Sequence, residues 1–331
     1  MKRHEVTGLG NALVDVLSRV EDSFLAENGV DKGIMTLIDG ARAVDLYGRM
    51  GPAHEVSGGS AANTIAGLGM LGVRSAYVGK VKDDQLGAIF AHDIRSLGVS
   101  FETPMTRADH TADETGRCMV LVTPDGERSM STYLGVSADL AAADVDEQAM
   151  ADSAWLYLEG YRFDGPDSHA AFAKAIRACK GAGGKVAITL SDPFCVERHR
   201  DAFLAMIRAD VDLLFANEHE LLSLYQTETL ADALEAARAD VDLTACTVGE
   251  RGVHVAGAHG VIDAPATDAA LVDATGAGDL FAAGFLYGLL HGRDLAVCGR
   301  MGCVAAGEVI AHIGARPEHD LKALFRADGL I

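Results

Sequence analysis

Basic side chains are scarce in this chain: 28 lysines and arginines stand against 48 aspartates and glutamates, a net charge of −20 over 331 residues. That charge opposes binding to nucleic acid or to an anionic membrane surface and points to a small-molecule partner. Long apolar runs are absent too. Met1 to Val6 is polar and holds no signal-peptide apolar block, and no uninterrupted hydrophobic stretch reaches membrane-spanning length, so a cytoplasmic location is expected. The prolines form no Pro/Ser/Gln-rich linker, and low-complexity segments and internal repeats are missing, so residues 1–331 read as one domain with an appendage. The six cysteines (Cys118, Cys179, Cys195, Cys246, Cys298, Cys303) contain no C-x-x-C pair and stand partly in apolar or helical stretches. They read as reduced, mostly buried thiols.

Several motifs are also missing. Gly8-Leu9-Gly10 lacks the third glycine of a dinucleotide fingerprint, since Leu13 occupies its place. Gly181-Ala182-Gly183-Gly184-Lys185 has the wrong spacing for a P-loop and runs into a strand. There is no H-E-x-x-H and no Cys/His metal cluster, so His219 and the other histidines read as surface or core residues.

What is present is strand and helix in alternation, in a chain that is 49% hydrophobic and 23% charged. Ser75–Gly79, Ala154–Leu158 and Lys185–Leu190 are short β-rich runs, each followed by an amphipathic stretch: Asp84–Leu97, Asp167–Lys180 and Glu197–Ile207. Val6–Gly10, Leu213–Ala216 and Leu243–Val248 add further strands. This pattern predicts a mainly parallel sheet covered by helices. Arg117–Leu134 breaks the rhythm, alternating around the turn Pro124-Asp125-Gly126, and predicts an antiparallel hairpin. Leu13–Val20 and Ala53–Ser57 are expected beside it. The result is a small β-sheet lid built from inserted segments at about 13–57 and 100–135.

In so acidic a protein, an anion must be held by local donors. Asp273-Ala274-Thr275-Gly276-Ala277-Gly278-Asp279 runs straight into the apolar helix Leu280–Leu290. Small residues at a helix start leave backbone N–H groups open, and the helix dipole adds positive charge there. A carboxylate beside such an anion hole repels phosphate unless it has chemical work, and taking a proton from an attacking hydroxyl is such work. Asp279 is the candidate base, although the same residues also suit a closely packed helix start with an acid in its first turn. Gly58-Gly59-Ser60-Ala61-Ala62-Asn63 precedes a second helix and offers a tight backbone approach with an amide side chain able to face a diol. Asn217-Glu218-His219-Glu220, after the strand Leu213–Ala216, has the spacing of a helix capping box. Thr247-Val248-Gly249-Glu250-Arg251-Gly252 is a strand-ending turn, and Asp15 lies just beyond the first strand.

In this order, these segments resemble the PfkB, or ribokinase-like, family from Gly10 to the Ala305-Ala306-Gly307 helix. The 273–279 string is similar to the signature D-T-x-G-A-G-D, with Ala274 in place of threonine, and 58–63 is similar to the family's first signature. The resemblance implies an α/β, three-layer ribokinase-like sandwich whose mainly parallel sheet carries a β-sheet lid. It also implies an ATP-dependent kinase. In that scheme Asp279 is the base and the Gly276, Ala277 and Gly278 amides cradle phosphate. Gly58, Gly59, Ser60, Asn63, Asn11 and Asp15 take the acceptor's hydroxyls, while Asn217, Thr247, Gly249 and Gly252 approach ATP. Glu220 holds Mg²⁺ through water, and a monovalent cation such as K⁺ sits near Asp273 and Thr275.

The lid strand Gly126–Gly135 looks most like that of the adenosine kinase branch, where the arginine (here Arg128) approaches phosphate and alternate apolar residues (here Met130 and Leu134) cover the purine. Tyr161 would set an aromatic ring against the base. The resemblance thus implies adenosine as acceptor, with a ribose or ketohexose kinase as the alternative. A non-catalytic nucleoside or sugar sensor is the remote one, disfavoured by the presence of Asp279 together with Gly276 and Gly278. A lid of this kind pairs with another lid or stays solitary, so a monomer and a lid-to-lid homodimer both remain open.

Overall fold

The computed structural model describes residues 2–111, 113–165 and 167–331. Met1 of the polar start and residue 112 of the 100–135 segment thus lie outside the described residues. The strands are β1 (His4–Leu9), β2 (Leu13–Arg19), β3 (Met35–Leu37), β4 (His54–Gly58), β5 (Ser75–Val78), β6 (Thr115–Val122), β7 (Arg128–Gly135), β8 (Ser153–Glu159), β9 (Lys185–Thr189), β10 (Leu213–Asn217), β11 (Leu243–Thr247), β12 (Val253–Gly257) and β13 (Gly260–Ala264). The helices are α1 (Asp22–Glu27), α2 (Gly40–Arg49), α3 (Ser60–Met70), α4 (Gln85–Ser96), α5 (Glu147–Ala151), α6 (Ser168–Gly181), α7 (Pro193–Asp210), α8 (Glu218–Tyr225), α9 (Leu230–Asp240), α10 (Ala277–Leu290), α11 (Leu295–Val309) and α12 (Leu321–Ala327).

The larger sheet has the order β13-β12-β11-β10-β9-β8-β1-β5. From β11 to β5 every neighbouring pair is parallel. Its strands are apolar runs rather than alternating ones because helices cover both faces. On one face α3, α4, α10, α11 and α12 pack Ile65, Phe90, Phe285, Met301 and Phe325 into a core. On the other, α5 to α9 bury Met150, Phe172, Phe203, Leu221 and Leu234. The antiparallel edge pair β12–β13 did not emerge from the reading of the sequence. Its cue is the alternation of Val253-His254-Val255 and Val261-Ile262 across a two-residue connection, with Gly260 at φ 115°.

The second sheet runs β3-β7-β6-β2-β4. Its centre is the β6–β7 hairpin, whose turn places Gly126 at φ 83° and Asp125 as acceptor for the Thr123 hydroxyl and the Glu127 N–H. β2 lies parallel to β6 and antiparallel to β4. One face of this sheet sends Met119, Leu121 and Tyr133 against Leu25, Ala43 and Leu46 of α1 and α2. The other face carries Cys118, Val120 and Met130 and closes over a cavity above the carboxyl ends of the larger sheet's strands. Parallel sheets place their ligands at that end. All six cysteines are buried and free of disulfides, and no helix among the described residues is long and apolar enough to cross a membrane.

Candidate active site between two sheets

The cavity has a volume of about 690 Å³. Two helix starts meet in its wall. α10 begins after Gly276, which sits at φ 75°, and Asp279 falls in its first turn. α3 begins after Gly59, and its first turn supplies both partners of the Asp279 carboxylate: Ser60 Oγ donates to Oδ1 at 2.6 Å and Asn63 Nδ2 to Oδ2 at 2.9 Å. First-turn N–H groups have no intrahelical acceptors; that of Ala277 reaches back to Ala274 O at 3.3 Å, and the others leave α10 presenting donors and the positive end of its dipole beside this carboxylate. Burial pushes the Asp279 carboxyl up to about 6, against the two hydrogen bonds and the charge of Arg316, which pull it down.

Gly59 is the sharpest steric constraint. It sits at φ 98°, and a Cβ there would stand 2.2 Å from the backbone oxygen of Asn11. Gly59→Ala would combine left-handed strain with a main-chain clash. This substitution is expected to lower acceptor kcat/KM at least about 100-fold and to destabilise the fold by about 2 kcal/mol or more, as read from steady-state kinetics and a thermal melt. Gly58 has a different task. It is not in the cavity wall; a Cβ on it would lie 2.3 Å from the carboxylate of Asp15, so its bare backbone leaves room for that carboxylate. Asp15 lines the cavity and receives no hydrogen bond among the described residues. Burial is the largest cause raising it to about 7, with Asp279 and Asp273 adding to the rise and Arg316 opposing it.

Asn11 reaches the cavity wall, but most of its amide is already committed. Its Nδ2 donates to Glu159 Oε1 at 2.8 Å, and its Oδ1 accepts from Ser137 Oγ and from Arg162, each at 3.1 Å. At most one N–H is left for a ligand. Glu159 was not anticipated. It ends β8, accepts also from the N–H groups of Asn11 and Ala61, and so ties the β1 end to the start of α3. Its carboxyl is pushed up to about 7, burial being the main cause. The available signal was an acid placed directly at the end of a buried apolar strand.

At the other end of the cavity Asn217, Glu220, Thr247 and Gly249 all lie in the wall, where β10 and β11 end. Asn217 and Glu220 form the reciprocal capping box of α8: Asn217 Oδ1 accepts from the Glu220 N–H, and Glu220 accepts from the Asn217 N–H. Gly252 is outside the wall. It sits at φ 96° in the turn before β12, where a Cβ would meet Ala264 O at 2.1 Å, so packing against β13 rather than nucleotide contact accounts for it.

Arg128, on β7, lines the cavity and bonds back to the loop ahead of α10. Its Nε pairs with Asp273 Oδ1 at 2.5 Å, and it also donates to the Thr275 hydroxyl. Asp273 is buried beneath the wall and further accepts from Thr275 N and Oγ1 and from Gly314 N. Both of its oxygens are thus committed and its charge is already balanced by Arg128. The Asp273 side chain does not fit the monovalent cation that the resemblance implied beside it and Thr275. Among the described residues, no group of three His, Cys, Asp or Glu side chains is placed to hold a metal directly. Glu220 lines the cavity with no cationic partner, and burial raises its carboxyl to about 7; both its oxygens already accept from Asn217, Oε2 from the N–H at 2.8 Å and Oε1 from Nδ2 at 2.7 Å, so only their remaining lone pairs are open to a metal-bound water.

Met130, Leu134 and Tyr161 all reach the cavity, as do Leu13, Met35, Leu37, Cys118 and Val120, which the sequence did not single out. β3, which carries Met35 and Leu37, is three residues long and too short to leave a periodic trace. Ser191, at φ 74°, also lines the cavity and accepts from the Tyr161 N–H through its hydroxyl.

A mainly parallel sheet between helix layers, a second sheet closing over its carboxyl end, and a carboxylate at a glycine-capped helix start define a ribokinase-like phosphotransferase. The model of the pfkB family carbohydrate kinases matches residues 36–321, and the chain belongs to that family, whose members use ATP to phosphorylate hydroxyl acceptors. It is similar throughout its length to the crystal structure of a probable sugar kinase protein from Rhizobium etli CFN 42, with a TM-score of 0.94, 46% identity and complete coverage of both chains. It is also similar to the adenosine kinase from Sinorhizobium meliloti, with a TM-score of 0.92 and 48% identity over 98% of this chain and 99% of that one. An ATP-dependent ribose-1-phosphate kinase of Halopiger xanaduensis is 33% identical over 284 residues, 83% of this chain and 88% of that protein.

Proposed function

We propose that this kinase phosphorylates the primary hydroxyl of a purine nucleoside, adenosine, giving AMP and ADP. The observation that carries the reading is the two-sided cavity. Its floor holds hydroxyl-reading groups, Asp15 and Asn63, beside Asp279, and its ceiling is apolar, formed by Leu13, Leu37, Val120, Met130 and Leu134 of the second sheet. A bare sugar needs the floor alone; a flat base accounts for the ceiling and for the Tyr161 ring. The 48% identity to an adenosine kinase supports the same reading. The names of the Rhizobium etli and Halopiger xanaduensis relatives favour a sugar or sugar phosphate, which uses the same floor.

Asp15 accepts two ribose hydroxyls side by side, which orients the primary hydroxyl toward Asp279. Asp279, held by Ser60 and Asn63, takes the proton as that oxygen attacks the γ-phosphorus in line. The Gly276 to Gly278 turn and Arg128 face the charge on the transferred group, Arg128 exchanging Asp273 and Thr275 for phosphate oxygens. Glu220 would hold Mg²⁺ through water, and the ion would supply further neutralisation of the phosphates when bound. Closure of the second sheet keeps water from the γ-phosphate.

Both acids must be charged to act. With Asp279 near 6, kcat is expected to fall about tenfold per unit once the pH drops below that value, and with Asp15 near 7 the acceptor KM rises from a higher pH. Stability runs the other way. A carboxyl raised on folding holds its proton more tightly in the folded chain, so its stabilisation is full below the unfolded value near 4 and is lost as pH climbs to about 7. The ligand-free protein is therefore expected to melt higher at about pH 5.5 than at about pH 8, which a thermal-shift series checks.

The activity itself is tested by acceptor-dependent ADP release with ATP and Mg²⁺ across adenosine, inosine, guanosine, ribose, fructose and ribose 1-phosphate. Adenosine is expected to give the highest kcat/KM. Preference for a sugar refutes the nucleoside reading, and the absence of any acceptor-dependent turnover favours a sensor.

A further inference from the structure

Three consecutive residues between α11 and α12 touch three separate parts of the site. Gly314 donates its N–H to Asp273 Oδ2 at 2.8 Å. Ala315 packs on Gly276, where a Cβ would stand 2.7 Å from its own. Arg316 reaches the other helix start: NH1 donates to Ala62 O at 3.0 Å, and NH2 donates to Ser57 O at 2.6 Å and to Ser57 Oγ at 2.8 Å. Ser57 in turn donates its N–H and its hydroxyl to Asp93 Oδ2 of α4, at 2.9 and 2.5 Å. One arginine thus clamps the end of β4 beside Gly58 to the first turn of α3, the turn whose Ser60 and Asn63 hold Asp279.

The clamp is an unusual place for a guanidinium. Its Nε is buried without a partner, and it forms no ion pair with a neighbouring carboxylate among the described residues. Packing alone is served as well by a neutral side chain, because a buried charge held only by carbonyls and a hydroxyl carries a desolvation cost. The charge has a use if it acts across space, and Asp93, Asp15 and Asp279 all feel it. The other titratable groups that share Asp279's field are Asp15 on β2, Tyr77 on β5, Tyr157 and Glu159 on β8, Tyr161 just beyond it and Glu220 on α8, every one of them an acid. Arg316 is the cation that acts on Asp279 and Asp15, while the buried Arg162 acts on Glu159 and, with Arg316, on Tyr77.

We propose that Arg316 is a positioning residue for phosphoryl transfer, holding Ser60 and Asn63 against Asp279 and supplying the positive charge that the acceptor-side carboxylates face. The inference rests on the reading of Asp279 as the base. No motif in the sequence pointed to it, since Arg316 follows α11 in a loop with no signature of its own.

The test is the kcat–pH profile of Arg316→Gln and Asp93→Asn, with Asp279→Asn as control. Arg316→Gln is expected to lower kcat at least about tenfold and to move the acid limb up by about one pH unit. Asp93→Asn removes the negative charge that offsets Arg316 and is expected to move the limb down, which keeps the proposal falsifiable if Arg316→Gln does not fold. Arg316→Lys keeps the charge and is expected to restore the wild-type limb. A limb that stays in place in both neutralising variants reduces Arg316 to a structural tie and overturns the proposal. If Asp279→Asn retains its turnover, the base assignment falls and this inference falls with it. If Asp279→Asn is inactive while the limb does not move, only the role of Arg316 is lost.

Discussion

Asp279→Asn is expected to lower kcat by about 10²–10⁴-fold, the usual range for loss of a positioned general base, while ATP affinity changes little. Asparagine keeps the shape, and its oxygen still accepts from one of the two donors, Ser60 Oγ or Asn63 Nδ2, that fix the aspartate in the cavity. It cannot take a proton at neutral pH. Because the α10 amides and the β10–β11 wall are untouched, nucleotide binding has no reason to fail. Steady-state kinetics with a nucleotide-binding titration separates the two effects. Near-normal kcat in this variant removes Asp279 from the chemistry, and loss of ATP binding makes it a structural residue of the cradle.

Asp15→Asn is expected to produce two opposite changes. The carboxylate sits over Gly58, receives no hydrogen bond from the described residues, and is pushed up to about 7 mainly by burial. Its ionised form is thus an unfavourable group in the empty cavity, kept for a ligand with two donors to offer. Neutralising it is expected to raise Tm by about 2–4 °C at pH 8, the direction expected when a charge without a hydrogen-bond donor, and with Asp279 and Asp273 beside it, is removed from an enclosed site. The same change replaces a double acceptor by one amide oxygen and one NH₂ donor that is mismatched to a hydroxyl's proton. Charge-assisted hydrogen bonds to two hydroxyls are lost, so kcat/KM for the acceptor should fall about 100-fold, with KM carrying much of the loss. A thermal melt and a substrate titration on the same preparation decide. A lower Tm with unchanged KM identifies Asp15 as a structural residue instead.

The sequence made the α/β body legible because its parallel strands are continuous apolar runs between amphipathic helices, and it made the hairpin legible through Pro124-Asp125-Gly126. The helix starts at Gly59 and Gly276 were legible for a steric reason: both need a positive φ, and at Gly59 the main chain of Asn11 leaves no room for a Cβ. What escaped is what tertiary packing alone brings together. Glu159 and Arg316 stand far from both signatures in the chain and meet them only through the β8 end and the loop after α11. Arg128 and Asp273 were each picked out for a ligand, yet their ion pair joins the two sheets' territories and depends on a separation in sequence that no local pattern encodes. Gly252 shows the converse: a turn glycine inside a nucleotide-like motif is explained by its packing on β13.

The central claim is that a carboxylate at the start of α10 meets the acceptor hydroxyl at the mouth of a phosphate cradle. A crystal structure with adenosine and a non-hydrolysable ATP analogue tests it most directly. The account predicts the 5′-hydroxyl within about 2.6–3.2 Å of an Asp279 oxygen, the ribose diol on Asp15, the purine beneath the second sheet and the γ-phosphate at the α10 amides. Adenosine bound with its 5′-hydroxyl away from Asp279, or a γ-phosphate remote from those amides, contradicts it.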